Sequence, residues 1–432
     1  MGVRVFSEIG DLKRVLVHAP GPEVDTMLPE DMHRMLFDDI LHGVRCRMEH
    51  RHFRAVLEAF GVEVVDLQDL LGEALQEAPE ARGSLLDGVG ATEWLPPERR
   101  ALLEGLEPTA LARALVEGMS PGGEGADELW REAPLPVPNL LFSRDAGAVI
   151  GEELVVSSMK AGVRQREPLL LRFAFAHHPS LAGTRVLADF STPRPRSLTP
   201  TIAAPTIEGG DLLVLREGIV LIGIGERTMT AAADRLVERL RGHPHLRAAV
   251  LVFLPAARRV MHLDTVFTRA SEHECLVYAP MICDGSLESV SAVTVELSDH
   301  AAPGRRYTSL LAALRSLGVD LEPLHCGGRA SYVQQAREQW TDGANCFAIR
   351  PGVVVLYGRN RATAEELYEH GYEVVEVGGL PWDEHGRCLR SFKHGKRYAL
   401  LLDGHELSRA RGGPRCMTMP LERLDAGAPG VS

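Results

Sequence analysis

The feature that most constrains the fold is a repeated order of elements: a β-hairpin, then a helix, then a strand. Residues 212–215 and 219–225 are apolar runs on either side of a short polar turn, which predicts a hairpin. Residues 228–242 follow with the apolar spacing of an amphipathic helix, and residues 249–255 form a run typical of a buried strand. A chain that repeats such a unit is expected to stack or close its copies on one another.

The same order recurs in three further stretches of the chain. The first has its hairpin at 148–158, its helix at 167–177 and its strand at 185–190. The second has its hairpin at 266–280, its helix at 308–318 and its strand at 321–326. The third has its hairpin at 346–350 with 353–358, its helix at 362–370 and its strand at 372–377. A fifth copy can be assembled from both ends, with paired strands at 416–421 and 14–18, a helix at 45–60 and a last strand at 62–67. The alternative is an ordinary α+β sheet protein, which the same periodicity also fits.

Residues 69–134 interrupt this order. They are rich in Leu, Ala and Glu, lack strand signals, and have helix-start prolines at Pro97 and Pro108. We therefore expect two parts in the protein. Residues 1–68 and 135–432 would form an α/β domain, and residues 69–134 an inserted helical module.

Composition argues against several classes of function. The chain of 432 residues carries a formal net charge of −12, which disfavours a nucleic-acid or anionic-membrane partner. The N-terminus lacks the apolar segment of a signal peptide, and no window is long and apolar enough to span a membrane. Seven cysteines without a Cys-x-x-Cys pair argue against a zinc site or a disulfide scaffold. We expect a cytoplasmic protein with reduced thiols.

One cysteine stands in a sequence context that indicates chemistry. Cys416 follows the glycine pair Gly412 and Gly413, which permits close approach of the backbone to a ligand. The neighbouring Arg415 can help to hold the sulfur as the nucleophilic thiolate. The other six cysteines lack such a context and are interpreted as packing residues.

Three further segments, 139–145, 207–211 and 261–268, supply partners for such a nucleophile. They contain Asp145, Glu208, His262 and Asp264. Carboxylates pair bidentately with guanidinium groups, a histidine of near-neutral pKa passes protons in both directions, and a thiolate forms covalent intermediates. His262 and Asp264 are two residues apart, so they share one face if the segment is extended. The set suits attack on a planar, cationic electrophile.

In this order, the four segments resemble the signature of the arginine deiminases, within the guanidine-modifying (pentein) superfamily. The similarity extends from residues 7–10 to Pro420, which is nearly the whole chain. The resemblance implies an α/β fold of the pentein type: a five-bladed α/β propeller of ββαβ-like units with the site at its centre. It also implies a helical insertion at the position of residues 69–134.

The resemblance further implies a role for each residue of the site. Cys416 would be the nucleophile and His262 would carry protons. Glu208 would hydrogen-bond to the histidine and to the guanidinium, and Asp145 and Asp264 would bind the guanidinium. Contacts to the rest of the substrate would come from six residues: Asn139 and Phe142 at its amino-acid end and aliphatic stem, Arg164 and Arg227 at its α-carboxylate, Arg411 as a mobile gating arginine, and Leu36 in the pocket wall.

The activity implied is hydrolysis of L-arginine to L-citrulline and ammonia by a cytoplasmic homo-oligomer that needs no metal and no organic cofactor. Ser143, Ala146 and Gly225 stand where the family usually shows Thr, Pro and Ser, so other guanidino substrates such as agmatine or a methylarginine stay open. An amidinotransferase uses the same residue types, and an inactive binding or assembly member is a further alternative. A papain-like peptidase is disfavoured, because its cysteine context is absent from the sequence.

Overall fold

The computed structural model describes residues 2–119, 134–191, 204–216, 218–286, 288–298 and 303–424 of the protein. The described residues form five separate β-sheets, and each sheet contains one of the five predicted hairpin–helix–strand units. In every unit the first two strands pair antiparallel, and a later strand adds in parallel.

Three of the units occur in continuous stretches of chain and keep the predicted order. The first has strands Gly147–Ile150, Glu153–Val156 and Arg185–Asp189 with helix Arg166–His177. The second has strands Leu212–Leu215, Ile219–Ile224 and Ala248–Phe253 with helix Thr230–Leu240. The third has strands Phe267–Arg269, Glu274–Val277 and Glu322–His325 with helix Leu310–Ser316.

The fifth unit joins the two ends of the chain, as expected. It has strands Met419–Leu424, Asp11–Val17 and Glu63–Asp66 with helix Gly43–Ala59. Strand Asp11–Val17 lies in the middle of this sheet, antiparallel to the C-terminal strand and parallel to Glu63–Asp66. The C-terminal segment is therefore fixed against the N-terminal one over a full strand.

The second and fourth units contain strands that the sequence did not predict. The fourth has strands Phe347–Arg350, Val353–Tyr357 and Glu373–Glu376 with helix Arg361–Glu369. Strand Tyr398–Leu402 lies between Val353–Tyr357 and Glu373–Glu376 and is parallel to both. Two further strands, Ala292–Glu296 and Arg305–Tyr307, extend the second sheet. None of these three strands was predicted.

The units contact one another in a cycle. Helix Thr230–Leu240 touches strand Arg185–Asp189 of the first unit, and helix Arg361–Glu369 touches strand Glu322–His325 of the third. The short turns Gly209–Asp211 and Leu263–Thr265 join the second unit to the third. The fifth unit contacts both the fourth, through Asp11–Val17, and the first, through Met419–Leu424. Five buried apolar clusters fill the spaces between successive units.

This arrangement confirms the predicted α/β class with its repeated units, and its cyclic order is what the expected five-bladed closure requires. Apolar residues of neighbouring units pack into each cluster, so each unit buries its sheet and helix against the next one. This burial between units supplies most of the hydrophobic stabilisation of the folded state, at roughly 25 cal/mol for each Å² of apolar surface removed from water.

Four helices lie where the helical module was expected: Leu67–Glu77, Arg82–Thr92, Pro97–Glu104 and Pro108–Glu117. The last two begin at the prolines that the sequence indicated, while the first begins at Leu67 because Asp66 caps it by accepting from the Gln68 N–H. The first two pack on helix Arg166–His177 of the first unit, and the last two pack on the other helices of the module. The division into two domains stays a prediction, and residues 120–133 lie outside the described part.

Three short helices complete the described helices: Pro22–Asp25, Ala279–Ile282 and Tyr332–Trp340. Among the helices that the structure describes, none combines the length and the apolar character needed to cross a membrane.

Candidate active site

The repeated topology brings chemically active residues together. In each unit the segment just before the first of the paired strands contributes to one site, because these five segments contact one another through hydrogen bonds and packing. In chain order the contributions are Asp145, Glu208, His262 with Asp264, Asn345, and Cys416. Four of the five segments were found from the sequence; the segment with Asn345 was not.

A small cavity lies where these segments meet. Its volume is 20 Å³, which is room for about one water molecule. Nine of the eleven predicted site residues line it: Leu36, Asn139, Phe142, Asp145, Arg164, Arg227, His262, Arg411 and Cys416. The other two, Glu208 and Asp264, are fully buried behind the wall. An amino-acid ligand therefore requires movement of part of the lining.

His262 is held between two carboxylates. Its Nε2 lies 2.8 Å from Glu208 Oε2, and its Nδ1 lies 3.6 Å from Asp145 Oδ1. Burial acts to lower the pKa of His262, but the charge of Asp145 and the hydrogen bond with Glu208 outweigh it and raise the pKa to about 9. Burial acts to raise the pKa of Glu208, but the charge of Arg227 and the hydrogen bond with His262 lower it to about 2. At neutral pH the pair is an imidazolium with a carboxylate.

Cys416 is buried beside Asp264. Its Sγ lies 3.8 Å from Asp264 Oδ2. Burial, followed by the charges of Asp264, Asp145 and Asp342, raises the pKa of the Cys416 thiol well above its ordinary value. The thiol is therefore neutral at pH 7 in this state of the site. A cation bound beside it would offset these negative charges and favour the thiolate.

Asp145 and Asp264 each use one oxygen for a buried arginine of the protein. Arg164 Nη1 donates to Asp145 Oδ2 at 2.8 Å, and Arg415 Nη1 donates to Asp264 Oδ2 at 2.7 Å. The second oxygen of each carboxylate, Oδ1, is buried without a hydrogen-bond partner among the described residues. An unsatisfied buried acceptor costs about 1–3 kcal/mol, so these two oxygens favour a ligand that donates to both.

The same residues include a group that could hold a metal ion. Among the described residues, ligand atoms of Asp145, Glu208 and His262 lie within 4.8 Å of one another. The surrounding charges fit a metal poorly, because Arg164 already pairs with Asp145 and Arg227 lies 3.5 Å from Glu208. A metal would also have to displace the proton of His262, whose pKa is about 9. The donor set suits an organic cation better.

Known proteins provide an independent comparison. The family model described as arginine deiminase matches residues 33–122 and 133–380. The arginine deiminase of Clostridium perfringens is 34% identical and that of Mycoplasma capricolum 32% identical, each with 98% of both chains covered. The chain belongs to the arginine deiminase family. A third relative, the arginine deiminase of Mycobacterium avium, is 33% identical over 96% of this chain and 97% of its own.

Solved structures of more distant relatives share the fold of this arginine deiminase family member. An amidinotransferase from Microseira wollei in the saxitoxin biosynthetic pathway aligns with a TM-score of 0.50 at 14% identity, over 98% of both chains. The N-terminal domain of a cyanobacterial arginine dihydrolase of the ornithine–ammonia cycle aligns with a TM-score of 0.50 at 15% identity, over 96% of this chain and 100% of that domain. At this identity the likeness shows the fold alone.

The two arginines expected at the α-carboxylate differ in their availability. Arg164 donates to Asp145, to both oxygens of Glu167 and to the carbonyl of Asn139, so protein acceptors engage all its nitrogens. Arg227 contacts only Glu208 Oε2, at 3.5 Å, and the Met261 sulfur, at 3.9 Å, among its described side-chain contacts. Arg227 is therefore the better placed of the two to bind a ligand carboxylate.

Leu36 and Arg411 line the cavity in a strained backbone conformation. Leu36 has φ 64° and Arg411 has φ 67°, in the left-handed region that costs a non-glycine residue of order 1 kcal/mol or more. The Arg411 guanidinium lies 3.7 Å over the ring of Trp340 and donates to the Trp340 carbonyl. Its Nε and Nη2 are buried without a hydrogen-bond partner among the described residues. These features fit a side chain that has a second position, as the gating role implies.

Asn139 and Phe142 come from the turn before the first unit. Asn139 Nδ2 donates to the carbonyl of Met35 at 2.6 Å and so ties this turn to the segment that carries Leu36. The Phe142 ring lies where a side chain at Gly412 would stand, because a Cβ there would be 2.3 Å from the ring. Both residues therefore shape the cavity wall, and their contacts with a substrate stay predictions.

Three details of the sequence interpretation were different in the structure. The glycine pair Gly412–Gly413 makes room for Phe142 and Asn345 of the protein, where a ligand had been expected. Arg415 directs its donors to Glu8, Asp264 and the Leu212 carbonyl, with no hydrogen bond to the Cys416 sulfur among its described bonds. His262 is extended but Asp264 lies in the 3₁₀ turn Leu263–Thr265, so the alternation of a strand does not explain their orientation.

Two residues of the site were missed from the sequence. Arg258 lines the cavity and holds the segment above it, since it donates to both carboxylate oxygens of Asp38 and to the Leu36 carbonyl. Nothing in the sequence around Arg258 distinguishes it from a surface arginine. Asn345 could have been found, because it stands two residues before the first strand of the fourth unit, as Asp145 does in the first.

Proposed function

We propose that this protein hydrolyses L-arginine to L-citrulline and ammonia through a covalent intermediate on Cys416. The observation that carries the proposal is a pair of buried carboxylate oxygens without a hydrogen-bond partner among the described residues, Asp145 Oδ1 and Asp264 Oδ1, in two aspartates whose charges act on the neutral thiol of Cys416. A guanidinium group is planar, cationic and donates in several directions. It satisfies both oxygens at once and offsets the negative charge that keeps the thiol protonated.

The first half of the reaction forms the intermediate. The bound cation lowers the pKa of Cys416, the thiol releases its proton to solvent water, and the thiolate attacks the central guanidinium carbon. The new S–C bond places the electron pair of a C–N π bond on nitrogen. Protonated His262 then donates its proton to the departing nitrogen, the C–N bond breaks, and ammonia leaves a thiouronium on Cys416. Glu208 holds His262 in place through the 2.8 Å hydrogen bond.

The second half hydrolyses the intermediate. Neutral His262 takes a proton from the attacking water, and the oxygen bonds to the thiouronium carbon. Collapse of this adduct breaks the S–C bond and returns the electron pair to sulfur. The hydroxyl proton of the adduct passes to the sulfur, which leaves citrulline and the neutral thiol. His262 is again protonated, and the proton released in the first half leaves with ammonia as ammonium.

The α-carboxylate end of the substrate is assigned to Arg227 with Asn139. The open donors of Arg227, its position in the cavity wall and its distance of 3.5 Å from Glu208 support this assignment. Arg164 acts through Asp145 and Glu167, which it holds in place. A substrate without an α-carboxylate leaves a buried arginine unpaired, so agmatine should react at least about a hundredfold more slowly than arginine.

The test is an assay of the purified protein with L-arginine alone and with agmatine alone. We expect citrulline and ammonia in equal amounts from arginine, and an adduct on Cys416 in acid-quenched samples by mass spectrometry. Cys416→Ala should fold normally and lose activity by on the order of 10⁴-fold or more, with no adduct. Turnover that requires an added acceptor amine would instead identify an amidinotransferase, and agmatine used as well as arginine would contradict the assignment to Arg227.

A homo-oligomeric state and a cytoplasmic location stay predictions for this protein. Size-exclusion chromatography with light scattering at several protein concentrations tests the first, and cell fractionation of the native source tests the second.

A further inference from the structure

We propose that Asn345 is a positioning residue that fixes the backbone of the nucleophile relative to the guanidinium-binding Asp264. The inference rests on the proposed function, because it gives Asn345 a role in that reaction. It adds a fifth contribution to the site, from the one unit in which no site residue was predicted.

The geometry is a bridge through one amide side chain. Asn345 Oδ1 accepts the Cys416 N–H at 3.1 Å, and Asn345 Nδ2 donates to the Asp264 carbonyl at 3.1 Å. Asn345 is fully buried, and its own N–H donates to the Asp342 carbonyl at 3.0 Å. The side chain therefore links the fifth unit to the third from a fixed position in the fourth.

The requirement for an amide follows from this pattern. The bridge needs one acceptor and one donor in a rigid plane, which among short side chains only asparagine supplies. An aspartate of the same shape keeps the bond to the Cys416 N–H but faces the Asp264 carbonyl with a second acceptor. It also adds a charge near a thiol that three carboxylates already surround.

The nucleophile segment is built to receive this side chain. A Cβ on Gly413 would lie 2.6 Å from Asn345 Oδ1 and 2.8 Å from the Asn345 carbonyl oxygen, so only glycine permits the contact. The bridge sets the placement of the Cys416 backbone, and with it the 3.8 Å approach of Sγ to Asp264 Oδ2. A misplacement of about 1 Å at such a site costs on the order of a hundredfold in rate.

The chain offers a matched control in the same unit. Asn360 is also fully buried and also bridges through its amide, donating to the Thr341 carbonyl at 3.0 Å and accepting from the Thr341 hydroxyl at 2.5 Å. None of its described hydrogen bonds involves a residue that lines the cavity. A loss that is merely structural should therefore appear equally at Asn345 and Asn360.

The experiment compares Asn345→Asp and Asn345→Ala with Asn360→Asp and Asn360→Ala. For each, Tm, kcat and KM for arginine are measured, together with the rate of Cys416 alkylation by iodoacetamide against pH, located by peptide mass spectrometry. We expect kcat to fall about a hundredfold at Asn345 with KM changed by less than about threefold, since the substrate contacts stay. The alkylation profile of Asn345→Asp should shift to higher pH, while both Asn360 variants keep the wild-type kcat and profile.

Two outcomes would overturn the proposal: folded Asn345 variants with wild-type kcat and alkylation profile, or Asn360 variants with the same changes as Asn345. If neither Asn345 variant folds, Gly413→Ala displaces the same contact from the other side and should lower kcat and shift the alkylation profile. The alkylation profile does not depend on turnover. If the wild type fails to convert arginine, the proposed function fails, and this profile still decides whether Asn345 controls Cys416.

Discussion

Two buried histidines of this protein have nearly the same surroundings and different consequences. His262 and His18 are 1% and 2% exposed, and each lies between two carboxylates. In both, burial acts to lower the pKa of the imidazole, and nearby carboxylates outweigh it. The pKa rises to about 9 at His262, through Asp145 and Glu208, and to about 10 at His18, through Asp66 and Glu23.

What differs is the use of the carboxylates. Asp66 also accepts the N–H groups of Ala19 and Gln68, and Glu23 accepts that of Gly21, so the carboxylates at His18 join two backbone segments, residues 18–23 and residues 66–68. The carboxylates at His262 pair with Arg164 and Arg227, and both arginines line the same cavity as His262 and Cys416. Arg54, which lies 3.8 Å from Asp66, does not line this cavity.

An unsatisfied oxygen does not by itself separate the two sites, because Glu23 Oε2 is also buried without a partner among the described residues. A raised histidine pKa does not separate them either. The distinguishing feature is a nucleophile and a cavity beside the charged cluster. A perturbed pKa is thus evidence of buried charge first, and of chemistry only where a reacting group and space for a ligand accompany it.

The largest effect should come from removing each histidine. His262→Gln is expected to lower kcat by about 10²–10⁴-fold, because it removes the proton donor to ammonia and the acceptor from water. His18→Gln should leave kcat and KM near wild type and lower the free energy of unfolding by about 3 kcal/mol, since two buried carboxylates lose their cation. Steady-state kinetics and urea denaturation of both variants measure the difference.

The comparison fails if His18→Gln loses activity at temperatures where it is folded, or if His262→Gln loses stability without losing kcat. Circular dichroism of both variants at the assay temperature is the control that separates unfolding from a loss of chemistry.

A smaller effect is expected from the aspartates. Asp264→Asn should lower kcat/KM for arginine by roughly 10- to 100-fold, because a charge-assisted hydrogen bond contributes about 1.5–3 kcal/mol. Asp66→Asn keeps an acceptor for the Gln68 N–H and should lower Tm while kcat/KM stays within about twofold of wild type. A near-wild-type kcat/KM in Asp264→Asn would mean that this carboxylate does not hold the substrate.

The sequence predicted most of the fold because the signals are local and repeated. The turns between paired strands, such as residues 351–352 of the fourth unit, and the apolar face of helix Thr230–Leu240 are each visible within about a dozen residues. Strand Tyr398–Leu402 was missed because its position between two strands of the fourth sheet depends on pairing with residues that lie 25 and 45 positions earlier in the chain. Strand Ala292–Glu296 was missed for the same reason, since it extends a sheet that already contains all the strands of the repeated unit.

The site was predicted in part for a different reason. The reacting groups Cys416, His262 and Glu208 stand in recognisable segments, so their types and contexts indicated them. The side chains that position these groups do so through three-dimensional contacts alone. The sequence around Asn345 and Arg258 does not distinguish them from other residues of their types. The side chains that occupy the space beside Gly412 and Gly413, Phe142 and Asn345, were identified only from the structure.

The smallest effect concerns pH, and the two histidines should again separate. The pKa of about 9 at His262 lies above the ordinary value of about 6.5, so the proton donor is present at neutral pH. We expect kcat/KM to fall as pH rises through about 9, approaching tenfold for each further pH unit. The same limb should appear in His18→Gln, because that substitution leaves His262 and its carboxylates in place.

Stability should also depend on pH through His18. A folded pKa of about 10 at His18 means that its contribution to the free energy of unfolding is complete below about pH 6.5 and is lost as pH rises through about 10. His18→Gln removes this proton linkage, so its stability should decline less steeply between about pH 7 and 10, by up to about 1.4 kcal/mol per pH unit. Urea titrations across this range, with kcat/KM measured at each pH, test both statements. A stability profile parallel to wild type would show that His18 does not carry this proton linkage, and a displaced high-pH limb of kcat/KM in His18→Gln would show that the two sites are coupled. The separation of their contacts argues that one histidine holds the fold and the other moves the proton.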